Sequence, residues 1–137
     1  MPQIQGSCLC KQITITVKDR SAADKAGVEI CHCTDCRQFT GAPAGYLVQV
    51  PHADAEISGT PKQFSVTAES GNTVVRNFCA NCGSSLFDEG ATKGKYFIHG
   101  GIFPPKSLPQ PTMELWMRSA ESWERPFPGV ELYEKQQ

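Results

Sequence analysis

The chain has 137 residues, enough for one hydrophobic core and too few for two ordinary domains. Its 13 lysines and arginines against 14 aspartates and glutamates give a net charge of -1, which excludes the basic surface of nucleic-acid and membrane-surface binders. The sequence contains neither a secretory leader pattern nor an apolar run near the ~18 residues of a membrane span. We therefore expect one soluble, cytoplasmic domain over residues 1–137, with a core at about 6–130 and a short C-terminal tail.

Short runs of β-branched and aromatic residues, separated by Gly, Pro, Asn or Asp, predict a mainly β protein. In chain order the predicted strands are ITITV (13–17), YLVQV (46–50), KQFSV (62–66), TVVRNF (73–78), SLFDE (85–89), YFIHGGIF (96–103) and MELWM (113–117). Helix signals are limited to 19–27 and to 34–39, the latter with Thr34 as N-cap. The proline-rich segment 104–111 predicts a surface loop, and 133–137 a frayed tail.

The seven cysteines fall into three clusters of two, three and two. The absence of a secretion signal and the odd count favour metal ligation or thiol chemistry over disulfide bonds.

The last pair has the pattern of a zinc knuckle, because Cys79 and Cys82 flank a turn in which Gly83 can take positive φ. A knuckle gives two ligands, and Cys8 and Cys10 supply two more because residues i and i+2 of an extended segment share a face. This predicts one structural zinc bound by four cysteines. The alternative is that either pair consists of buried small hydrophobic residues.

The middle cluster offers three ligands, because Cys31 and Cys33 share a face while the following turn returns Cys36 to them. Three protein ligands and an open position are the arrangement of a catalytic zinc. Three thiolates leave the ion formally at -1, so the site favours holding or activating a thiol over ionising water.

Other interpretations of the middle cluster stay open at this point. His32, His52 or His99 as a fourth ligand would close the site. An iron–sulfur cluster would need a cysteine borrowed from the knuckle, and a metal-free cluster would favour disulfide exchange.

Three stretches, GSCLCKQITI, CHCTDCRQFTGAP and FCANCGSSLF, together resemble the glutathione-dependent formaldehyde-activating enzyme family, whose domain also occurs in centromere protein V. The resemblance extends from about Gly6 to ELWMRSAESW. It implies a β-sandwich-like zinc domain of short antiparallel strands, similar to methionine-R-sulfoxide reductases and to a zinc-binding accessory factor of Rab GTPases. It also implies two zinc ions per chain, with Cys8, Cys10, Cys79 and Cys82 as structural ligands and Cys31, Cys33 and Cys36 as catalytic ligands.

The family reaction is condensation of glutathione with formaldehyde, classed as a carbon–sulfur lyase in reverse. The resemblance thus implies a zinc-dependent enzyme acting on a small-molecule thiol adduct or carbonyl substrate, with glutathione as one candidate partner. The near-neutral charge gives no reason to expect nucleic acid or a membrane as a partner. Arg37 and Thr40 are expected to contact substrate, with a solvent-facing Arg37 or a salt bridge to Asp35 as the alternative. The competing hypotheses are a non-catalytic glutathione-binding protein and a zinc-stabilised interaction module; the oligomeric state stays open.

Overall fold

The computed structural model describes residues 3–136, apart from the side chain of Ala26, and within that range it is mainly β. The strands are β1 (Ile4–Ser7), β2 (Thr14–Val17), β3 (Val28–Cys31), β4 (Gly45–Pro51), β5 (Ala55–Ser58), β6 (Lys62–Thr67), β7 (Thr73–Phe78), β8 (Ser85–Glu89), β9 (Lys95–His99), β10 (Met113–Leu115) and β11 (Glu131–Leu132). The helices are α1 (Arg20–Ala26) and α2 (Thr34–Thr40), and 3-10 turns cover His52–Asp54, Gly100–Ile102 and Met117–Ser119. No helix in the described range is long and apolar enough to cross a membrane.

The strands form two sheets of unequal size. The small sheet has the order β1-β2-β5, and the large one has the order β11-β10-β3-β4-β9-β8-β7-β6. All pairs are antiparallel except β10, which runs parallel to both β3 and β11, so the expectation of purely antiparallel strands is wrong at this edge. The predicted likeness to methionine-R-sulfoxide reductases and to the Rab accessory factor stays a prediction.

The main core combines side chains from the two sheets. Ile15 and Val17 of β2 are fully buried, as are Val50 of β4 and Ile98 of β9, and all belong to one apolar cluster. The alternation of β2 places its two apolar side chains on one face, as the ITITV pattern predicts.

The opposite face of the large sheet is also covered. Four consecutive residues of β4 are buried, because both faces of the strand are covered. Leu47 faces away from the main core and packs in a second cluster, while its neighbours face into the main core. In this second cluster, Leu47 packs with Phe97 of β9 and with Cys31, Cys36 and Trp116. A strand buried on both faces has no polar alternation, and its second face is where the chemistry-bearing residues lie.

Several element boundaries differ from the sequence prediction for local reasons. The predicted strand 96–103 ends at His99, where Gly100 begins a 3-10 turn, and 113–117 ends at Leu115, because Trp116 takes a left-handed conformation at φ 59°. The N-cap of α2 is Cys33, whose Sγ accepts a hydrogen bond from the Cys36 N–H at 3.3 Å. The prediction of Thr34 as the cap is therefore wrong by one residue.

The C-terminal segment is more ordered than a frayed tail. The backbone N–H groups of residues 116, 117 and 118 donate to the carbonyls of residues 135, 133 and 134, and Lys135 pairs with Glu69 at 2.6 Å. The prediction of a tail over 133–137 is thus wrong for 133–135, while residue 137 lies outside the described residues. Segment 104–111 carries no helix or strand, which confirms the predicted loop.

Candidate metal centres

The first centre brings together the four cysteines of the outer clusters. The sulfur atoms of Cys8, Cys10, Cys79 and Cys82 all lie within 4.8 Å of one another. Two of their separations are 3.6 Å, from Cys8 to Cys10, and 3.7 Å, from Cys10 to Cys79. Zinc–sulfur bonds of about 2.3 Å in a tetrahedron place sulfurs about 3.8 Å apart. The donor set therefore fits a tetrahedral ion such as zinc.

The first pair converges through a turn and not through an extended segment. The Lys11 N–H donates to the Cys8 carbonyl at 3.0 Å, and Lys11 takes φ 67°. The i, i+2 argument for this pair is thus wrong in its geometry, although the two sulfurs do meet. The Ile13 N–H donates to Cys8 Sγ at 3.3 Å, which helps to orient this sulfur.

The second pair has the knuckle geometry predicted from its sequence. The Gly83 N–H donates to the Cys79 carbonyl at 2.8 Å, and Gly83 takes φ 80°. Hydrogen bonding to Ser84 lowers the pKa of Cys82 to about 5, which favours the ligand form at neutral pH.

The second centre is the middle cluster of three cysteines. Cys31 ends β3, Cys33 caps α2 and Cys36 lies in the first turn of that helix, which brings their sulfurs within 4.8 Å of one another. Cys31 and Cys36 are 6% and 3% exposed. Among residues 3–136, no histidine, carboxylate or further cysteine joins them within that distance.

The three thiols cannot all ionise in this setting without a cation. Hydrogen bonding from Cys31, and then from Cys36, lowers the pKa of Cys33 to about 2, while the contact with Cys33 raises the pKa of Cys31. The cluster therefore concentrates negative charge on one sulfur and keeps protons on the others. A divalent soft cation would relieve this crowding, so the donor set fits a metal ion such as zinc.

The histidines have other partners. His32 is 3% exposed, and its Nε2 lies 2.7 Å from Glu114 Oε1. His99 Nε2 lies 3.2 Å from Asp88 Oδ1, and His52 stacks on a tyrosine ring. None of the three is part of the three-cysteine group in the described chain.

A cavity of about 290 Å³ opens over the three sulfurs, on the face of the large sheet that lies opposite the main core. Its walls include the apolar side chains of Leu47, Val74, Phe97, Leu115 and Trp116. Its charged lining consists of four carboxylates and one guanidinium, namely Glu29, Asp35, Glu69, Asp88 and Arg76. The cavity is thus apolar in its walls and acidic in its charge.

Arg76 connects the cavity lining to the sulfur cluster. It faces Asp88 across the β7–β8 pair, and its Nη1 donates to Asp88 Oδ2 at 2.7 Å and to Cys36 Sγ at 3.5 Å. The guanidinium also lies 5.7 Å from the centre of the Phe39 ring. Sequence reasoning missed this pair, although a charged residue directly after two apolar residues in TVVRNF and in SLFDE was a usable signal.

Glu29 was also missed. It lies two residues before Cys31 on the same face of β3, and it is 7% exposed. Burial raises the pKa of Glu29 to about 7, and the charges of Asp88 and Cys33 add to the effect. Its i, i+2 spacing from Cys31 was the available signal.

The two predicted substrate-contact residues lie beside this cavity and do not line it. Arg37 Nη1 pairs with Glu121 Oε2 at 2.7 Å and not with Asp35, and its side chain is 35% exposed, so the solvent-facing alternative holds in part. Thr40 Oγ1 donates to the Cys36 carbonyl at 2.7 Å. Their contact with a substrate stays a prediction.

Comparison with known proteins gives the family. Residues 3–119 match the sequence profile of the glutathione-dependent formaldehyde-activating enzymes. The chain belongs to this family. It is also 32% identical over 107 residues to an uncharacterized lyase of Schizosaccharomyces pombe, covering 75% of this chain and 70% of that protein.

A solved structure shares the fold. The crystal structure of a Rhodobacter sphaeroides protein superposes with a TM-score of 0.60 at 17% identity, covering 79% of this chain and 97% of that one. This likeness carries the fold alone.

Proposed function

We propose that this family member is a zinc-dependent, carbon–sulfur lyase-like enzyme that acts on a small thiol adduct or carbonyl compound. The observation that carries the proposal is a set of three cysteine ligands, with no fourth ligand among the described residues, facing a cavity of about 290 Å³. In this proposal each chain holds two zinc ions, a structural one at the four-cysteine centre and a catalytic one at the three-cysteine centre.

A zinc ion held by Cys31, Cys33 and Cys36 would supply an open ligand position at which a substrate thiol is kept as thiolate. In the synthetic direction a sulfur–carbon bond forms, the carbonyl π bond breaks, and the thiol proton ends on the new hydroxyl oxygen. The lyase direction is the reverse. The cavity walls contribute by holding sulfur and carbonyl carbon together, since proximity in the best intramolecular models is worth about 7–11 kcal/mol.

Arg76 is suited to the charge that develops on the carbonyl oxygen. It is the basic side chain of the cavity lining in the described chain, and only its Nη1 donates to described protein acceptors. Its remaining N–H groups are available to an oxygen that becomes negative as the bond forms or breaks. The bond from Nη1 to Cys36 Sγ holds the guanidinium beside the sulfurs.

Two further expectations belong to this proposal. Arg37 and Thr40 would contact substrate only after the ion pair to Glu121 or the bond to the Cys36 carbonyl opens. All seven cysteines lie in the described chain and none is in a disulfide, which suits a reducing compartment, and we propose that the protein works in the cytoplasm.

The test is thiol-adduct breakdown measured against the uncatalysed rate in buffer, with zinc content determined on the same samples. Wild-type protein is expected to accelerate the reaction, and Cys33→Ser to lose both one zinc per chain and the acceleration. Full turnover by Cys33→Ser after loss of that zinc would refute the proposal. Glutathione binding without any acceleration would favour the non-catalytic binding protein instead.

A further inference from the structure

Glu29 is a buried carboxylate without a protein partner. It lines the cavity over the three cysteines and is 7% exposed. Within residues 3–136 its side chain accepts no hydrogen bond and forms no ion pair. Burying a carboxylate without a partner is unfavourable, and proteins tolerate it where a ligand completes the site.

Two other carboxylates of the cavity differ from Glu29 in this respect. Asp88 pairs with Arg76 at 2.7 Å, and Glu69, on the rim, pairs with Lys135 at 2.6 Å. Glu29 forms no such ion pair, although it is nearly as buried as Asp88, which is 3% exposed; the charge of Lys95 acts on it only from beyond ion-pair distance. The Glu29 carboxylate is therefore open to a direct partner that enters the cavity.

The cavity has little positive charge of its own to offer. Arg76, the basic side chain of the described lining, is already paired with Asp88. A zinc ion bound by three thiolates would leave a formal charge of -1 beside it. An incoming molecule with two carboxylates would meet net repulsion here, whereas a cationic group would be attracted.

The position of Glu29 defines where such a group would lie. Glu29 and Cys31 are two residues apart on one face of β3, a distance of about 6.6 Å along a strand. A thiol or carbonyl group at the sulfurs and a donor at Glu29 would therefore be joined by a short aliphatic spacer.

We propose that Glu29 binds a protonated amine of the substrate, so that the preferred substrates are small amine-bearing thiols or their adducts and not an anionic peptide thiol. The inference rests on the proposed function, because it places the reacting sulfur at Cys31, Cys33 and Cys36. Glu29 accepts hydrogen bonds from the ammonium group, and the pairing removes the cost of its burial.

The test is titration calorimetry on the full-length, zinc-loaded chain with three probes: cysteamine, 2-mercaptoethanol and glutathione. Cysteamine carries an ammonium group where 2-mercaptoethanol carries a hydroxyl. Glu29→Gln is expected to weaken cysteamine binding about tenfold or more and to leave 2-mercaptoethanol binding and zinc content unchanged. The affinity of each probe is compared between variant and wild type, so the different pKa values of the three thiols do not affect the result. Glutathione is expected to bind wild type more weakly than cysteamine.

Glu69→Gln is the matched control, because the same change is made to a carboxylate of the same cavity that already has a partner. It is expected to keep the affinity for cysteamine. Cysteamine binding that is unchanged in Glu29→Gln, or that falls in parallel with 2-mercaptoethanol binding, would overturn the inference. Loss of zinc from Glu29→Gln would also overturn it, since Glu29 would then act on the metal.

The Cys33→Ser variant separates this inference from the proposed function. If Cys33→Ser abolishes binding of all three thiols while Glu29→Gln changes nothing, the thiol site stands and the amine site is refuted. If wild-type protein binds none of the thiols, or Cys33→Ser binds them as wild type does, the proposed function fails and the amine inference fails with it.

Discussion

Replacing Arg76 by methionine tests the buried ion pair beneath the cavity. The Arg76 and Asp88 side chains are 9% and 4% exposed, and their charged atoms lie 2.7 Å apart. Methionine retains much of the apolar stem and removes the charge. Within the described chain, the buried Asp88 carboxylate then keeps His99, at 3.2 Å, as its remaining ion-pair partner. Removing one partner of a buried pair costs about 3–5 kcal/mol, and the remaining histidine contact places the expected loss at about 3 kcal/mol.

The chain offers a matched control in Arg37→Met. Arg37 pairs with Glu121 at the same distance of 2.7 Å, but the two side chains are 35% and 40% exposed. Exposed pairs contribute about 0–1 kcal/mol because water screens both charges. The same substitution at the same distance therefore differs chiefly in burial.

The assay is urea unfolding followed by circular dichroism, with free zinc held constant because bound ligands add to apparent stability. The midpoint is expected to fall with an unchanged slope in Arg76→Met. Adding Asp88→Asn should recover most of the loss, since the orphaned charge is removed. Equal losses in Arg76→Met and Arg37→Met, or no recovery in the double variant, would show that burial does not set the cost of breaking the Arg76–Asp88 pair.

Three further changes test other parts of the structure. The native state holds a proton on Glu29 more tightly than the unfolded state does, because the pKa of Glu29 is about 7 in the folded protein against 4.5 in the unfolded chain. Protonation of Glu29 therefore adds to the free energy of unfolding at low pH, and this contribution is lost as pH rises between those two values. Wild type should therefore lose about 2 kcal/mol relative to Glu29→Gln between pH 5.5 and 8.5 in urea unfolding, and a constant difference would contradict this. Cys82→Ser should lower the melting temperature far more than Cys36→Ser, because a structural zinc contributes on the order of 10 kcal/mol; equal losses in thermal unfolding would argue against separate roles. In Gly6→Ala the new Cβ would lie 2.5 Å from a backbone carbonyl oxygen, so a loss of about 1–3 kcal/mol is expected in urea unfolding, with Gly101→Ala, which meets nothing within 4 Å, as the neutral control.

The local part of the fold was predictable from the sequence. TVVRNF and SLFDE coincide with β7 and β8, because alternation and bracketing turn residues are local signals. β3 was missed, since VEIC is short and carries a glutamate at a buried position. The parallel pairing of β10 with β3 joins segments more than eighty residues apart, and no local pattern encodes such a contact.

At the two metal centres, too, local features were predictable from the sequence and contacts between distant segments were not. Cysteine spacing was sufficient to group the ligands, because seven cysteines in three clusters allow few combinations that give tetrahedral sets. The cavity was not predictable, because it depends on which strands are neighbours. Glu29, Arg76 and Asp88 come from three strands, β3, β7 and β8, that meet around one cavity only through the order of the large sheet.

The most direct test of a closed centre and an open one is zinc per chain by elemental analysis, on protein purified without added metal and again after mild chelation. Two zinc ions per chain are expected in wild-type protein, of which one is lost readily, and a single tightly held zinc is expected in Cys33→Ser. One tightly held zinc in wild-type protein under all conditions would contradict it, and would make Cys31, Cys33 and Cys36 free thiols with a redox role instead.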